Sequence, residues 1–343
     1  MEETGETAVV LGARGRFGRA AVAGFLAQGW RVKAVARRWS GPCVAGAEPI
    51  LADAADPAAL SAACAGAAVI VNALNPPYPA WSRELPRLTA SVLAAARDSG
   101  ATVMIPGNVY NFGPASKGEP MPTVLHEDLP QTPLTRKGRL RVEMERAYAE
   151  AADRGEARSV VLRAGDFIER AKSGNWFDTQ MTPKLGRGRF TYPGRRDVAH
   201  AWAYLPDLGR AMAALATRRR TLPAFAAFGY RGYTLSGAAL AGHLEEIIGR
   251  RLRISHTPWG AIRALSPISP LFREVLEMRY LWDQAHEIDG AAFAAALPEF
   301  KETPIRAALT DAVADHLPRD VSSKGVTGKG VSGRRNPRNS APA

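Results

Sequence analysis

Apolar residues in the first half of the chain follow two alternating spacings. Short apolar runs predict strands at residues 7–11, 31–36, 49–52, 67–72, 102–106 and 159–163. Between these runs the apolar residues keep a helical spacing, which predicts helices at residues 16–29, 56–65, 85–100 and 136–155. Strands that alternate with helices in this way are typical of βαβ units, and they predict a parallel sheet.

The alternation stops after residue 164, and this change divides the chain. Residues 165–196 are rich in glycine, aromatic residues and arginine; helices are predicted at 201–216, within 232–249 and at 270–282. We predict an α/β protein with a Rossmann-type doubly wound parallel sheet in residues 1–164, to which residues 197–220 return. A smaller mixed C-terminal lobe takes residues 165–196 and 221–317. Residues 318–343 contain almost no large apolar residue, and we predict that they form a disordered basic tail.

Composition and charge narrow the class of protein further. The chain has 343 residues, of which 46% are hydrophobic and 23% charged, so it can bury a core, and wholesale disorder is excluded. The net charge is +12, but no nucleic-acid recognition motif accompanies it, so a nucleic-acid partner is not expected. Two cysteines are too few for a disulfide framework or a thiolate metal site, and no metal is expected.

The sequence gives no sign of a membrane segment or a secretory signal. No apolar run reaches the ~18–20 residues that a membrane-spanning helix needs. Residues 1–7 are acidic and polar, and they lack the basic and apolar regions of a signal peptide. We therefore expect a cytoplasmic protein without a membrane partner.

A glycine-rich loop between the first strand and the first helix carries the strongest functional signal. Its three glycines fit the spacing Gly-x-x-Gly-x-x-Gly, which lets the backbone turn tightly and approach a pyrophosphate. The N–H groups at the helix N-terminus then face the negative charge. The loop predicts a dinucleotide-binding site, with an ordinary glycine-rich turn as the alternative. The candidate residues are Gly12, Arg14, Gly15, Arg16, Phe17 and Gly18.

The end of the second strand bears on the choice of cofactor. An NAD site usually places an acidic residue there, which accepts from the ribose 2′-hydroxyl. This strand ends in Arg37 and Arg38 instead, and Arg14 lies within the glycine loop. Arginine presents a planar fork that suits a phosphate, so NADP is predicted over NAD. The alternative is that two of these arginines are solvated surface residues of an arginine-rich chain.

Several later segments, taken with the loop, resemble one enzyme superfamily. They are Asp53 with the three residues before it, and residues 71–74, 108–113, 161–167 and 204–208. Over residues 7–315 the chain resembles the extended and atypical short-chain dehydrogenases/reductases, in the NAD(P)-dependent epimerase/dehydratase branch. The resemblance implies that Asp53 approaches the adenine, and that Ala73 and Leu74 line the middle of the cofactor.

The chain departs from this superfamily at its catalytic centre. The resemblance implies a Tyr-x-x-x-Lys pair and a nearby Ser or Thr, but no tyrosine here is followed four residues later by lysine. Alignment on Glu143 puts Thr135 at the tyrosine position and Arg139 at the lysine position, with Lys137 as the second choice for the cation. Alignment on residues 112–113 puts Asn108 where Ser or Thr belongs.

Other residues are candidates to supply the missing chemistry. Tyr110 follows the fifth strand at the ligand-bearing edge of the sheet, although a tyrosine there can also serve packing alone. Asp166 follows the next strand, where it is either an acid or a cap of the following turn. His200 is interpreted as a structural hydrogen-bonding residue. Substrate contacts are expected from residues 175–178 and from Arg187, Arg189, Arg195 and Arg196.

The resemblance leaves two functions open. The first is an NADP-dependent reductase, epimerase or dehydratase that acts on a sugar-like or nucleotide-sugar small molecule with non-standard catalytic residues. The second is a catalytically inactive NADP-binding sensor or scaffold. A homodimer stays open as well, because the apolar spacing of residues 271–282 suits either lobe core or a dimer face.

Overall fold

The computed structural model describes residues 5–114 and 119–317, and the predicted basic tail lies outside them. The strands are β1 (Thr7–Leu11), β2 (Arg31–Ala36), β3 (Glu48–Leu51), β4 (Val69–Asn72), β5 (Thr102–Gly107), β6 (Val124–Leu125), β7 (Ser159–Arg163), β8 (Asp166–Ile168), β9 (Arg189–Tyr192), β10 (Ala199–Tyr204), β11 (Phe225–Gly229), β12 (Tyr233–Ser236), β13 (Arg253–His256) and β14 (Glu287–Ile288). The α-helices are α1 (Arg16–Ala27), α2 (Pro57–Cys64), α3 (Trp81–Ser99), α4 (Arg136–Asp153), α5 (Leu205–Arg218), α6 (Gly237–Ile248), α7 (Trp259–Leu265), α8 (Pro270–Glu277), α9 (Tyr280–Asp283), α10 (Ala291–Ala296) and α11 (Ile305–Ala312).

A seven-stranded sheet forms the centre of the molecule. Its strand order is β11-β7-β5-β4-β1-β2-β3, and every neighbouring pair is parallel. From β1 the chain adds β2 and β3 on one side, and from β4 it adds β5, β7 and β11 on the other side. The point at which the direction of the strand order reverses, the switch point of the topology, therefore lies between β1 and β4. Ligands of open α/β sheets bind at the carboxyl ends of the strands beside such a point.

Helices cover both faces of the sheet, which explains why its strands are apolar throughout rather than alternating. One face carries α1 and α5, whose side chains share a core with Val10. The other face carries Leu60 of α2, Val92 of α3 and Tyr148 of α4, packed around Val9. The two predicted layers of helices are therefore present.

Helices α1 and α5 cross at a pair of glycines. A Cβ atom on Gly24 would lie 2.4 Å from the carbonyl oxygen of Gly209, and one on Gly209 would lie 2.2 Å from the carbonyl oxygen of Ala20. The backbones therefore touch at this crossing, which no residue with a side chain permits. The contact ties residues 205–218 to the first helix.

The smaller lobe is built from short sheets around an aromatic core. Strand β10 pairs with β8 in parallel and with β12 in antiparallel orientation, while β9 pairs with β13 and β6 with β14. Trp202, Tyr192 and Trp282 lie in its core, together with residues of α6 and α11. Within the described ranges, no helix combines the length and apolar character needed to cross a membrane.

Two elements differ from the sequence prediction. The strand β11, which the sequence analysis assigned to the lobe, is the edge strand of the main sheet, where it pairs with β7. The single helix predicted at 270–282 is two helices, α8 and α9, which separate at Met278 and Arg279. Met278 turns into a buried apolar cluster with Val109 and Leu125, a tertiary contact that helical spacing alone does not reveal.

Candidate functional site

The glycine loop turns as tightly as its sequence predicts. Gly12 has φ +69°, and a Cβ there would lie 2.7 Å from the carbonyl oxygen of Ala73. A Cβ on Gly18 would lie 2.2 Å from the carbonyl oxygen of Gly12, so helix α1 approaches the end of β1 closely. The N–H of Gly15 donates to the carbonyl oxygen of Gly12 at 2.8 Å and closes the turn.

The start of α1 fits the phosphates of a dinucleotide. Gly15 caps the helix without a side chain, so the first N–H groups have no intrahelical acceptor, and the first turn itself contains no acidic residue. Arg16 donates to the carbonyl oxygen of Ser173 at 3.1 Å and borders the loop. Phe17 is buried in the core, so only its backbone is available to a cofactor.

The three arginines of the predicted NADP site lie around the end of β2. The Arg14 guanidinium donates to the carbonyl oxygen of Arg38 at 3.0 Å and to the hydroxyl of Ser40. The side chains of Arg37 and Arg38 are exposed. A 2′-phosphate at this strand end would therefore meet the positive charge of these arginines.

The remaining predicted cofactor residues follow the neighbouring strands. Asp53 is exposed after β3, and its Oδ1 accepts from the N–H of Ala55 at 3.0 Å. Ala73 and Leu74 are partly buried immediately after β4, against the glycine loop. The roles that the resemblance implies for these residues, at the adenine and at the middle of the cofactor, stay predictions.

The inward face of α4 corrects the predicted catalytic register. Lys137, Arg141 and Glu145 are buried at successive turns, whereas Arg139 is exposed. Two residues along a helix correspond to about 200°, so Arg139 points away from the sheet. Thr135 caps the helix, because its Oγ1 accepts from the N–H of Gly138 at 3.0 Å. The alignment on an exposed glutamate, Glu143, caused the two-residue error.

A buried ion pair holds α4 against β5 and β7. Arg163 donates to both carboxylate oxygens of Glu145, at 2.8 and 3.1 Å, and to the carbonyl oxygen of Asn108 at 2.6 Å. The Asn108 side chain accepts from the N–H of Tyr110 at 2.9 Å and caps the short turn that carries this tyrosine. Asn108 therefore positions Tyr110 through the backbone.

Tyr110 lies partly buried beside two other polar groups of the cleft. Burial raises the pKa of its phenol well above the usual value, and the nearby Tyr78 and Asp166 raise this pKa further, while Arg141 lowers it. The phenol is thus neutral across the physiological range. It suits hydrogen-bond donation to a ligand oxygen, and it does not suit the role of a base.

Asp166 and His200 form a pair at the end of the next strand. The His200 Nε2 lies 2.8 Å from Asp166 Oδ2. His200 is 2% exposed and stacks on Trp282 with ring centroids 4.2 Å apart, while the Asp166 side chain is 27% exposed. Asp166 is the first residue of strand β8, so the alternative prediction that it caps a helical turn is wrong. The imidazole thus fixes a carboxylate that remains partly accessible.

A second histidine, His286, lies behind this pair and is fully buried. Its ring centroid is 4.5 Å from that of His200, and its Nδ1–H donates to the carbonyl oxygen of Gln284 at 3.1 Å. Burial and the neighbouring His200 lower the pKa of His286 from 6.5 to about 3. His286 is therefore neutral in the folded protein.

Lys137 is the second candidate for the cation of the Tyr-x-x-x-Lys pair, and the sequence does not reveal which residues surround it. Its amine is 2% exposed, lies 2.6 Å from Glu277 Oε2, and contacts the carboxylate of Glu274. It also lies 4.9 Å from the ring centroid of Tyr78. Both glutamates belong to α8, so this lysine joins α4 to the smaller lobe. Only the fold brings these distant segments together.

The expected substrate-binding segment divides into buried and exposed parts. Asn175 is buried and donates to Glu169 Oε1 at 3.2 Å, and Trp176 packs against Trp259 and Trp282. The arginines of this region, Arg187, Arg189, Arg195 and Arg196, are all exposed. No group of three or more metal-ligating side chains occurs among residues 5–114 and 119–317.

The loop, the switch point and the cleft define a nucleotide-binding protein of Rossmann type. A family described as NAD(P)H-binding matches residues 12–201, more than half of the chain. The chain belongs to this NAD(P)H-binding family. A search of curated proteins found no match.

Solved structures share the fold over most of the chain. The UDP-glucose 4-epimerase of Brucella ovis, solved with NAD, has a TM-score of 0.71 at 16% identity, over 91% of this chain and 98% of its own. MoeE5, solved with UDP-glucuronic acid and NAD, has a TM-score of 0.68 at 19% identity, over 90% and 97%. The UDP-glucose 4-epimerase of Thermotoga maritima, solved with UDP-glucose, has a TM-score of 0.69 at 15% identity, over 90% and 97%. The predicted fold class is confirmed, and the family match confirms the NAD(P)-binding part of the resemblance.

Proposed function

We propose that the chain is an NADP-dependent enzyme that acts on a sugar-like or nucleotide-sugar small molecule. The observation that carries the proposal is the partly exposed Asp166 carboxylate, which is bonded to His200 and acts electrostatically on Tyr110. Titratable groups at the ligand-bearing edge of the sheet are expected of a catalytic cleft. The substrate class is supported by the fold shared with MoeE5 and the two epimerases, which were solved with NAD or UDP-sugars.

The chain's own residues would handle the proton in this reaction, while the nicotinamide would accept or supply hydride. Tyr110 would donate a hydrogen bond to the reacting oxygen, and Asp166, held by His200, would accept or return the proton. Asn108 and Thr135 would act as positioning residues, through the turn of Tyr110 and the start of α4. Arg139 has no role in this scheme, because it lies on the exposed face of its helix.

A turnover assay tests the proposal. Protein with NADP or NADPH is offered a panel of UDP-sugars, aldehydes and ketones, and reduced nicotinamide is followed by absorbance and the products by NMR. Tyr110→Phe and Asp166→Asn should each lower kcat ~10²–10⁴-fold, the scale of a general acid or base, with little change in NADP affinity. Asp153→Asn, which changes an exposed aspartate at the end of α4, is the control.

Two outcomes of this assay would contradict the proposal. Unchanged turnover in both variants would remove Tyr110 and Asp166 from the chemistry. Tight NADP binding without turnover across the whole panel would favour the second candidate, an NADP-binding sensor or scaffold. One observation favours that candidate: the Lys137 amine, near the start of the inward face of α4, is held by two carboxylates and is not available as a proton donor.

The cofactor preference has a test of its own. Arg37→Asp should weaken NADP binding by ~1.5–3 kcal/mol, the scale of a charge-assisted hydrogen bond, and should leave NAD binding nearly unchanged. Arg31→Asp makes the same change of charge at the other end of β2 and serves as the control. NAD binding as tight as NADP binding in the wild-type protein would contradict the preference. Calorimetric titration with both cofactors measures all of these affinities.

A further inference from the structure

The segment that joins α7 to α8 gathers exposed apolar side chains. Six large apolar side chains are exposed in the described part of the chain, and three of them, Leu265, Ile268 and Leu271, lie within seven residues of one another. Ile268 is 81% exposed, the largest value among the six. Single exposed apolar residues are ordinary, whereas a group that is continuous along the chain indicates an interaction surface. We call residues 264–272 the apolar tip.

The two helices behind the apolar tip are fixed to the rest of the protein. Trp259, the first residue of α7, packs against Trp176 with ring centroids 6.2 Å apart. The far end of α8 is held by Lys137, which contacts Glu274 and Glu277. Even so, no residue of α7 or α8 is buried in the described structure. The fold therefore presents the apolar tip outward on a firm base.

Most polar groups of the apolar tip are satisfied within the tip itself. The hydroxyl of Ser266 donates to the carbonyl oxygen of Arg263 at 2.8 Å, and that of Ser269 accepts from the N–H of Phe272 at 3.4 Å. Three further N–H groups of the tip donate to the carbonyl oxygens of Arg263 and Leu265, and its two prolines have no N–H. A polar group that leaves water needs such a partner, whereas an exposed loop does not require it. The tip thus suits entry into an apolar medium.

The first charges on either side of the apolar tip are positive. The tip contains no charged residue, and it is flanked by Arg263 and Arg273, which are both exposed. The acidic residues of α8, Glu274 and Glu277, contact Lys137 on α4 instead. Two copies of this chain docked tip to tip would bring the flanking arginines together, because a twofold interface uses the same patch on both subunits. An anionic surface would attract them.

We propose that the apolar tip docks on a membrane surface that carries anionic lipids, with Leu265, Ile268 and Leu271 at the boundary between headgroups and acyl chains. The two flanking arginines would extend their charged ends to lipid phosphates and keep their stems beside the apolar side chains. Such shallow docking needs neither a spanning helix nor a signal, the two features on which the sequence prediction of no membrane partner rests. The inference is independent of the proposed cofactor and substrate.

Sedimentation of the full-length protein with lipid vesicles tests the proposal. The protein should bind vesicles of equal parts phosphatidylglycerol and phosphatidylcholine, and it should bind pure phosphatidylcholine vesicles much more weakly. The tip variant, which combines Leu265→Ser, Ile268→Ser and Leu271→Ser, should bind the anionic vesicles at least ~10-fold more weakly, because apolar burial is lost. Leu51→Ser with Val124→Ser changes two exposed apolar side chains elsewhere and should leave binding unchanged.

Further variants separate insertion from the general attraction of a basic protein to anions. Ile268→Trp should strengthen binding, since tryptophan is favoured at membrane interfaces, and Ile268→Asp should weaken it. Arg263→Gln with Arg273→Gln should weaken binding as well. The matched control is Arg87→Gln with Arg146→Gln, which removes two exposed positive charges from α3 and α4 and should change binding less. All of these positions are exposed, so the thermal midpoints should equal that of the wild type.

Three results would overturn the proposal. Wild-type protein that stays in solution with the anionic vesicles would exclude the docking surface. Equal binding of the wild type and the tip variant would assign the attraction to the net charge of +12 rather than to the tip. A change from dimer to monomer in the tip variant, measured by analytical ultracentrifugation without vesicles, would identify an interface between copies. NADP affinity should be the same in both proteins, so failure of the docking surface leaves the proposed function standing.

Discussion

His286 is a residue whose chemistry is decided by burial. Its pKa is about 3 in the folded protein, against 6.5 for an exposed histidine. Between these two pH values the imidazole is therefore protonated in the unfolded chain and neutral in the folded chain. Since the unfolded state binds more protons there, stability falls as the pH falls through this window. The slope contributed by one such group approaches ~1.4 kcal/mol per pH unit.

His286→Asn should therefore flatten the acid limb of the stability profile. The asparagine amide can still donate to the carbonyl oxygen of Gln284, but it does not titrate. Urea denaturation gives the free energy of unfolding of the wild type and the variant at pH 7.5 and at pH 5. These two values bracket roughly the upper half of the window. Asp166 and His200 face the same site and remain in both proteins. His256→Asn, at an exposed position, should keep the wild-type slope. An unchanged slope in His286→Asn would contradict this account.

At the scale of elements, helix α4 and helix α8 are joined by one buried amine. Lys137→Met would leave Glu274 and Glu277 close together without a cation, and their side chains are only 18% and 22% exposed. We expect a loss of about 2–3 kcal/mol, below the figure for a fully buried pair because these carboxylates retain some water. Faster hydrogen exchange of the α8 amides should accompany it.

A matched variant shows whether charge causes this loss. Adding Glu274→Gln and Glu277→Gln to Lys137→Met removes the uncompensated carboxylates, and it should restore part of the stability and of the protection of α8. Equal exchange of α8 in the wild type and in Lys137→Met would indicate that its other contacts hold this helix without the amine, among them the N–H groups of residues 136 and 137 that donate to Glu277.

Local signals explain which elements the sequence could predict. Asp56 accepts from two N–H groups at the start of α2, and Gly100 ends α3 with φ +71°, as their residue types indicate. The phase of α4 was not predictable in this way, because Glu143 and Glu145 are equally plausible inward residues until Arg163 is placed beside one of them. The position of β11 likewise depends on a partner strand far away in sequence.

The same distinction applies to the candidate site. The glycine loop was predictable because its conformation depends on neighbouring residues and on the absence of side chains. The pairing of Asp166 with His200 and the pairing of Arg163 with Glu145 depend on segments that meet only in the fold. The sequence therefore indicates the geometry of the glycine loop more fully than the side-chain pairs of the neighbouring cleft.

At the scale of the whole molecule, the main sheet and the smaller lobe share chain segments. The chain leaves the lobe after β10 to form α5 and β11, goes back to the lobe from β12 onward, and returns again as α10, whose Phe293 lies in the same core as Trp30. We expect one cooperative urea transition, in which far-UV circular dichroism and tryptophan fluorescence coincide. Trp202 and Trp282 lie in the lobe core, so a fluorescence change at lower urea would show that the lobe unfolds first.

The exclusively parallel pairing of the main sheet sets how this chain must fold. Parallel neighbours cannot be joined by a hairpin turn, so a long crossover connection must bring each pair of strands together. The entropy of closing this connection is lost before the hydrogen bonds between the strands form. Such topologies fold slowly, and apolar strands such as β1 stay exposed while they wait for partners. Recovery of native protein after dilution from denaturant should therefore decline as the chain concentration rises, since intermolecular strand pairing competes with these late closures.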